Sequence, residues 1–279
     1  MDSQGRSMSN HHFHRRAAAA GTEAGAYLRR FRQHAGLSQL DLSLITGISQ
    51  RHLSCIETGR ANASPSTLHA VLSALDVPLE QSNDVFLAAG YAHRYTASPL
   101  NAPEMEMVYA AVNHILQANN PAPAIVIASN WDITAANVST GLLFDMVGLA
   151  QGHRSGLNLL TTLLCPGGLG DYLINAEEIR AIAWQRATRE AASNADLSHL
   201  LSSIPAPASL PADAALSPVV LTRVHSKQGE LAFLSTFTTF GMPLDITVAS
   251  LRIEHLIPAD TQTWKTMTAA YEQWLAVQA

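Results

Sequence analysis

The stretch Leu37-Ser-Gln-Leu-Asp-Leu-Ser-Leu-Ile-Thr-Gly-Ile-Ser-Gln-Arg-His-Leu-Ser-Cys-Ile-Glu-Thr-Gly-Arg60 decides how the first third of the chain folds. Ser38 stands where a side-chain oxygen caps a helix, and Leu40 and Leu44 give that helix its expected inner face. Gly47 permits a tight turn, and Ser49 caps a second helix. With Leu53 and Ile56 turned toward a core at about 100° per residue, Arg51 points outward, flanked by Cys55 and Thr58. Ser54 and Gln50 sit on its shoulder. A short helix with a small, hydrogen-bonding outer face fits the major groove of DNA, where Arg pairs with guanine and Gln with adenine.

On either side of this stretch, apolar residues recur in three- and four-residue steps: Leu28 and Phe31, then Leu68, Val71, Leu72 and Leu75, then Phe86 and Leu87. Breaks fall at Ala35-Gly36, Thr46-Gly47-Ile48, Thr58-Gly59-Arg60 and Val77-Pro78. The pattern predicts a bundle of five short helices over 23–96, preceded by a flexible arm over 1–22. These residues resemble the XRE-type, lambda-repressor-like helix-turn-helix domains, from the Leu37-Ser38-Gln39 entry through Gly47 to the Ile56-Glu57-x-Gly59-Arg60 exit. The resemblance implies a double-stranded DNA partner with a palindromic operator, and a homodimer to read it. It implies that Gln39 and Arg60 hold phosphates while Gln50, Arg51, His52 and Cys55 face bases, with the cap Ser49 also counted among the DNA-binding residues. It also pairs Glu57 with Arg32 as a partly buried ion pair.

Charge agrees with an anionic partner at this end. Residues 1–60 hold eight arginines against four acids, +4, and the remainder holds nine basic residues against eighteen acids, −9, which together give the −5 of the whole chain. His11, His12 and His14 look like a metal cluster but read as incidental in an arm, so no metal site is expected. Arg15 and Arg16 are candidates to follow the DNA backbone.

The 279 residues are 47% hydrophobic and 14% charged, which excludes a disordered chain, a charge-rich coiled coil and a collagen-like fibre. No run approaches the roughly 18 apolar residues of a spanning helix. Arg15 and Arg16 precede only four alanines, short of a signal h-region of about 7–15 residues. Two cysteines make no disulfide framework. The expectation is a soluble, cytoplasmic protein without membrane contact.

Pro99 and Pro103 mark a boundary, and residues 103–279 read as a second domain. Glu104–Asn119 predicts a helix; Ala124–Ser129 and Trp131–Ala135 predict strands about a turn at Asn130; Val138–Leu149 and Ala176–Ser193 predict helices flanking the loop Cys165-Pro-Gly-Gly-Leu-Gly. Ile204–Pro218 reads as a surface crossing. Val219–Ser226, Leu231–Phe240 and Ile246–Ile257 predict three further strands, the first two joined through Ser226-Lys-Gln-Gly-Glu230, and Asp260–Val277 a closing helix capped by Asp260 or Thr261. On Leu231–Phe240, Leu231, Phe233 and Phe237 share one face and Leu234 and Phe240 the other, so both faces need cover.

Enzyme signatures are absent: there is no G-x-S-x-G, and Gly168-Leu-Gly170-Asp-Tyr-Leu173 fails the dinucleotide fingerprint. No catalytic residue is expected. The order strand-strand-helices-strand-strand-strand is that of a PAS domain: an α+β chain of two domains, the second a five-stranded antiparallel sheet with helices. Phe86-Leu-Ala-Ala-Gly-Tyr91 with His93-Arg94-Tyr95, then Pro123-Ala-Ile-Val-Ile, Trp131-Asp132 and Asn137, and the late Leu251-x-Ile-Glu-x-Leu-x-Pro258-Ala-Asp260, resemble the MmyB-like regulators. These couple an XRE domain to a PAS-like ligand domain, and the resemblance implies a sensor of long-chain fatty acids or similar acyl compounds. Candidate ligand residues are Trp131, Asn137, Phe144, Trp184, Phe233 and Phe237, though for Asn137 a cap on the following helix is the favoured role. Arg180, Arg186, Arg189, Arg223 and His225 are candidate partners for a carboxylate. A ligand-free dimerisation or docking module, or an acyl-ester hydrolase, are the other readings.

Overall fold

A computed structural model describes residues 23–149, 156–192, 194–208 and 218–279. The arm over 1–22, with its histidines and Arg15 and Arg16, lies outside them, as does 209–217 of the expected surface crossing. The chain divides into two compact units, one of residues up to Ala97 together with Pro243–Ala249, the other of Ser98–Met242 and Ser250–Ala279.

The first unit holds helices α1 (23–34), α2 (Gln39–Thr46), α3 (Gln50–Glu57), α4 (Pro65–Ala74) and α5 (Leu79–Ala88). Ser38, Ser49 and Ser64 each accept the backbone N–H three residues on, satisfying a donor that a helix start leaves orphaned. At Ser38 the cap is reciprocal, since Asp41 accepts the Ser38 N–H at 2.9 Å. Gly47 closes α2 at φ +70°. The core is Leu28, Leu42, Leu53, Ile56, Leu68, Val71, Leu72, Val85 and Phe86.

The inner face expected for α2 is wrong. Leu42 is the buried residue, while Leu40 is 52% and Leu44 75% exposed. Leu40, Leu42, Leu44 and Ile45 put apolar side chains around most of this eight-residue helix, so spacing alone does not choose the buried one.

After α5 the chain is held by Asn83, whose Oδ1 accepts the N–H groups of Arg94 and Tyr95 while Nδ2 donates to the Tyr95 carbonyl. Thr96 then bridges Asp245, its hydroxyl donating to Asp245 Oδ2 at 2.9 Å and its carbonyl accepting the Ile246 N–H at 2.7 Å.

The second unit begins with a 3-10 turn (Pro103–Met105) and α6 (Glu106–Ala118). Strands β1 (Ala124–Ile127) and β2 (Ile133–Ala136) lead into α7 (Val138–Val147), α8 (Leu159–Leu164), α9 (Ala176–Ala191) and α10 (Ala195–Ser203). Strands β3 (Leu221–Ser226), β4 (Gly229–Thr238) and β5 (Arg252–Pro258) follow, with α12 (Thr261–Gln278) after β5; the short helix α11 (Ile246–Ser250) between β4 and β5 belongs, up to Ala249, to the first unit. The sheet is antiparallel throughout, in the order β2-β1-β5-β4-β3. Both faces are covered, as the pattern on β4 requires. One face sends Ile125, Ile127, Val224, Leu231 and Phe233 into the main core with residues of α7–α10 and Met267 of α12. The other sends Ala124, Val126 and Ile253 against Val112 and Leu116 of α6.

Two strand boundaries move. Trp131 is no strand residue; it follows the Asn130 turn at φ +70°, and β2 starts at Ile133. Ile246–Ser250 is helical, because Asp245 Oδ1 accepts the Thr247 N–H at 2.8 Å and starts a turn that the β-branched Ile246, Thr247 and Val248 hide.

Candidate functional site

On α3, Leu53 and Ile56 are buried, Gln50, Arg51 and His52 are exposed, and Ser54 and Cys55 are half-buried. Ser49 is committed to the helix start, its hydroxyl accepting the His52 N–H at 3.3 Å. Arg60 is exposed and donates from Nε to Thr58 Oγ1 at 3.0 Å. The face that sequence assigned to bases is therefore open, and three side chains with major-groove donors and acceptors project from it.

This helix is fixed from behind by charge. Glu57 accepts both Arg32 Nε (2.7 Å) and Arg32 Nη2 (2.9 Å), and Arg32 Nη1 donates to the Leu37 carbonyl at 2.8 Å. Gln39 joins them, its amide donating to Glu57 Oε2 at 2.9 Å. Gln39, expected at a phosphate, thus also ties the start of α2 to the end of α3. Burial by itself pushes the Glu57 carboxyl up, but the hydrogen bonds from Arg32 and Gln39 and the nearby Arg29 charge hold it below the usual carboxylate range.

In the second unit, a cavity of about 250 Å³ lies between the sheet and helices α7, α8 and α9. That is just below the roughly 300–1,000 Å³ of typical small-molecule sites. Its walls are mostly apolar: Ile125, Ile133, Phe237 and Leu256 from the sheet, Leu143 and Phe144 from α7, Leu163 from α8, Ala183 from α9. Of the six expected ligand residues, Trp131, Phe144 and Phe237 line it. Phe233 is fully buried in the core and Trp184 packs at its edge. Asn137 is placed elsewhere, as the buried cap of α7: its Oδ1 accepts the N–H groups of Thr140 and Ala124, and its Nδ2 donates to the Leu116 and Ala122 carbonyls.

Of the five cationic candidates only Arg186 reaches the cavity wall. Its guanidinium carbon lies 4.1 Å from the Phe237 ring centroid and 5.5 Å from that of Trp131. Arg180 is engaged by Asp171 and the Leu163 carbonyl, Arg223 by Glu230, and Arg189 and His225 are exposed.

Three charged residues that sequence missed complete the site. Glu190 accepts from Arg186 Nε (2.9 Å), Arg252 Nη1 (2.6 Å) and Trp131 Nε1 (2.8 Å). Burial pushes its carboxyl up, and the Arg252, Arg186 and Trp131 hydrogen bonds outweigh that, so it stays ionised below the usual range. Glu254 does the opposite: burial raises its carboxyl above the ordinary value, with only the Ser235 hydroxyl donating to it among the described residues and Arg186 and Arg252 acting through space. Glu254 and Leu256 share a face of β5, and a carboxyl alternating with a leucine toward the core was the available signal. Running the strand back to Ile246 obscured it.

Trp131 holds its place at a backbone cost. A tryptophan at φ +70° stores about 1–3 kcal/mol of strain, the kind that persists where surroundings over-determine a residue. The indole hydrogen bond and the backbone bonds from Trp131 N–H to the Ala128 carbonyl and from Leu159 N–H to the Trp131 carbonyl supply that determination.

Among the described residues no cluster could hold a metal ion, and no helix is long and apolar enough to cross a membrane.

The profile of the MmyB-like transcription regulator ligand binding domain matches residues 108–270, more than half of the chain, and a helix-turn-helix profile matches residues 28–81. No curated protein matches the chain. Among solved structures, the restriction-modification controller protein C.AhdI from Aeromonas hydrophila is similar at 27% identity over 22% of this chain and 94% of its own, with a TM-score of 0.22. An RNA-binding light-oxygen-voltage receptor is similar at 14% identity over 99% of this chain and 70% of its own, with a TM-score of 0.27.

Proposed function

Since the chain belongs to the MmyB-like transcription regulators, with a helix-turn-helix and a ligand-binding domain, we propose that it is a ligand-responsive regulator whose cavity takes a long-chain fatty acid or similar acyl compound. The observation that carries the ligand half of this reading is the cavity between sheet and helices, walled by aliphatic and aromatic side chains and open to one arginine. The DNA half rests on the open face of α3, with Arg51 and Gln50 as the base-reading residues and Arg60 at the backbone. A single helix-turn-helix reads one half-site, so a homodimer on a palindromic operator completes the proposal. The function is one of binding, without turnover.

The test is mass spectrometry of an organic extract of the purified protein against a mock preparation, followed by operator titration with and without the species found. A stoichiometric acyl compound that changes operator affinity is the expected result. An operator affinity identical with and without saturating ligand overturns the sensor. Hydrolysis of acyl esters, abolished by one Ser or His substitution, would replace it with an enzyme.

A further inference from the structure

Arg186 and Glu254 are the two charged side chains on the cavity wall among the described residues. They are neighbours on it, for Glu254 is the cross-strand partner of Phe237, on whose ring the Arg186 guanidinium stacks. Nε of Arg186 is taken by Glu190, and its two terminal nitrogens donate to no described residue. Among the described residues the Glu254 carboxyl has one hydrogen-bond partner, the Ser235 hydroxyl.

The charges around this pair do not balance unless Glu254 is counted. Arg186 and Glu190 come from α9 and Arg252 from β5, two cations against one carboxylate. Arg252 Nε is buried without an acceptor, a further sign that donors outnumber acceptors here. The other elements on the wall offer no charge: Thr140 from α7, Thr162 from α8, Thr222 from β3, Ser235 and Phe237 from β4. His255 is turned the other way, bonded to Thr238 and Asn119.

We propose that Arg186 and Glu254 form the headgroup end of the cavity and select a carboxylate, Arg186 pairing with it through its free nitrogens while Glu254, as the acid, donates its proton into a shared carboxyl–carboxylate hydrogen bond. The inference rests on reading the cavity as an acyl site. Two adjacent carboxyl groups retain one proton between them because both cannot ionise at that distance. With Glu254 neutral, the arginines and Glu190 leave one positive charge, which the ligand carboxylate cancels. With Glu254 ionised the cluster is already neutral, and a second carboxylate meets repulsion. Affinity for the acid therefore falls as pH rises through the Glu254 titration, whereas affinity for an uncharged analogue does not.

The experiment titrates the full chain with dodecanoate and with dodecan-1-ol, from pH 6 to 9, using wild type, Arg186→Met and Glu254→Gln. Wild type is expected to bind the acid at least tenfold tighter than the alcohol at pH 6, with up to a tenfold loss per pH unit once Glu254 ionises. Glu254→Gln, neutral at every pH, keeps the acid preference and flattens the profile. Arg186→Met lowers acid affinity to that of the alcohol and leaves the alcohol unchanged. Alcohol bound as tightly as acid, a flat wild-type profile, or a Gln variant that copies the wild-type fall overturns this inference while leaving the acyl site standing. Failure of both probes to bind at any pH overturns the acyl site itself.

Discussion

Glu57 is buried and Glu254 half-buried on the cavity wall, and their surroundings drive the two carboxyls in opposite directions. Glu57 is paired on two sides, its side chain 3% exposed against 11% for Arg32. Replacing it with alanine strands the Arg32 guanidinium, and a loss of about 3–5 kcal/mol is expected in denaturant unfolding of the first unit. Its folded-state carboxyl lies below the unfolded one, so this stabilisation is complete above about pH 4.3 and is lost as pH falls through the folded value. Glu254 reverses the sign. Its carboxyl is raised in the fold, so from about pH 4.3 upward the unfolded state ionises first and stability declines until the folded group ionises too. Glu254→Gln is expected to remove that decline and to leave the second unit more stable than wild type at neutral pH. All four tryptophans, Trp131, Trp184, Trp264 and Trp274, belong to that unit, so indole fluorescence during unfolding follows it alone.

The helix α3 stands where it does because α1 can approach it. Gly25 rests against the last turn of α3, where a Cβ would lie 2.2 Å from the Ile56 carbonyl oxygen. Gly25→Ala must displace one helix from the other, so it is expected to lower the melting temperature and operator affinity together. Arg51→Ala changes an exposed side chain and is expected to weaken operator binding by about 1–3 kcal/mol, relax one base pair, and leave the melting curve in place. Circular dichroism and operator titration on the two variants separate support from readout. Helix starts in this unit could be read from single residues, Ser38, Ser49 and Ser64, because a cap is a local hydrogen bond. Leu40 and Leu44 could not, because which leucine of a short apolar helix is buried depends on what packs against it. The same distinction holds in the second unit. Five strands and their succession along the chain follow from local alternation and apolar runs, and Asn137 and Asp260 announce the helices they cap. The pairing of Trp131 and Arg252 through Glu190 joins residues 59 and 62 positions apart, and no local pattern carries it.

A sheet with two apolar faces gives the molecule two different layers. The α6 side is packed by Val112 and Leu116, and the other side keeps a cavity behind three helices and a strained tryptophan. If ligand and operator compete for or share one conformation, saturating acyl ligand is expected to change operator affinity by about 5–150-fold, read by fluorescence anisotropy of labelled DNA at fixed salt. A dimer is expected in sedimentation at the same concentrations.

The chain also returns to its first unit late, for Pro243–Ala249, after β4 is complete and before β5 begins. The bridge between Thr96 and Asp245 is part of that unit and is encoded almost 150 residues away from its partner. A gene fusion cut at the linker would carry off a piece of the reading head along with the sensor. Exchange of sensors by simple recombination after Ala97 is therefore expected to yield defective heads, and lineages built on this plan inherit the two halves together.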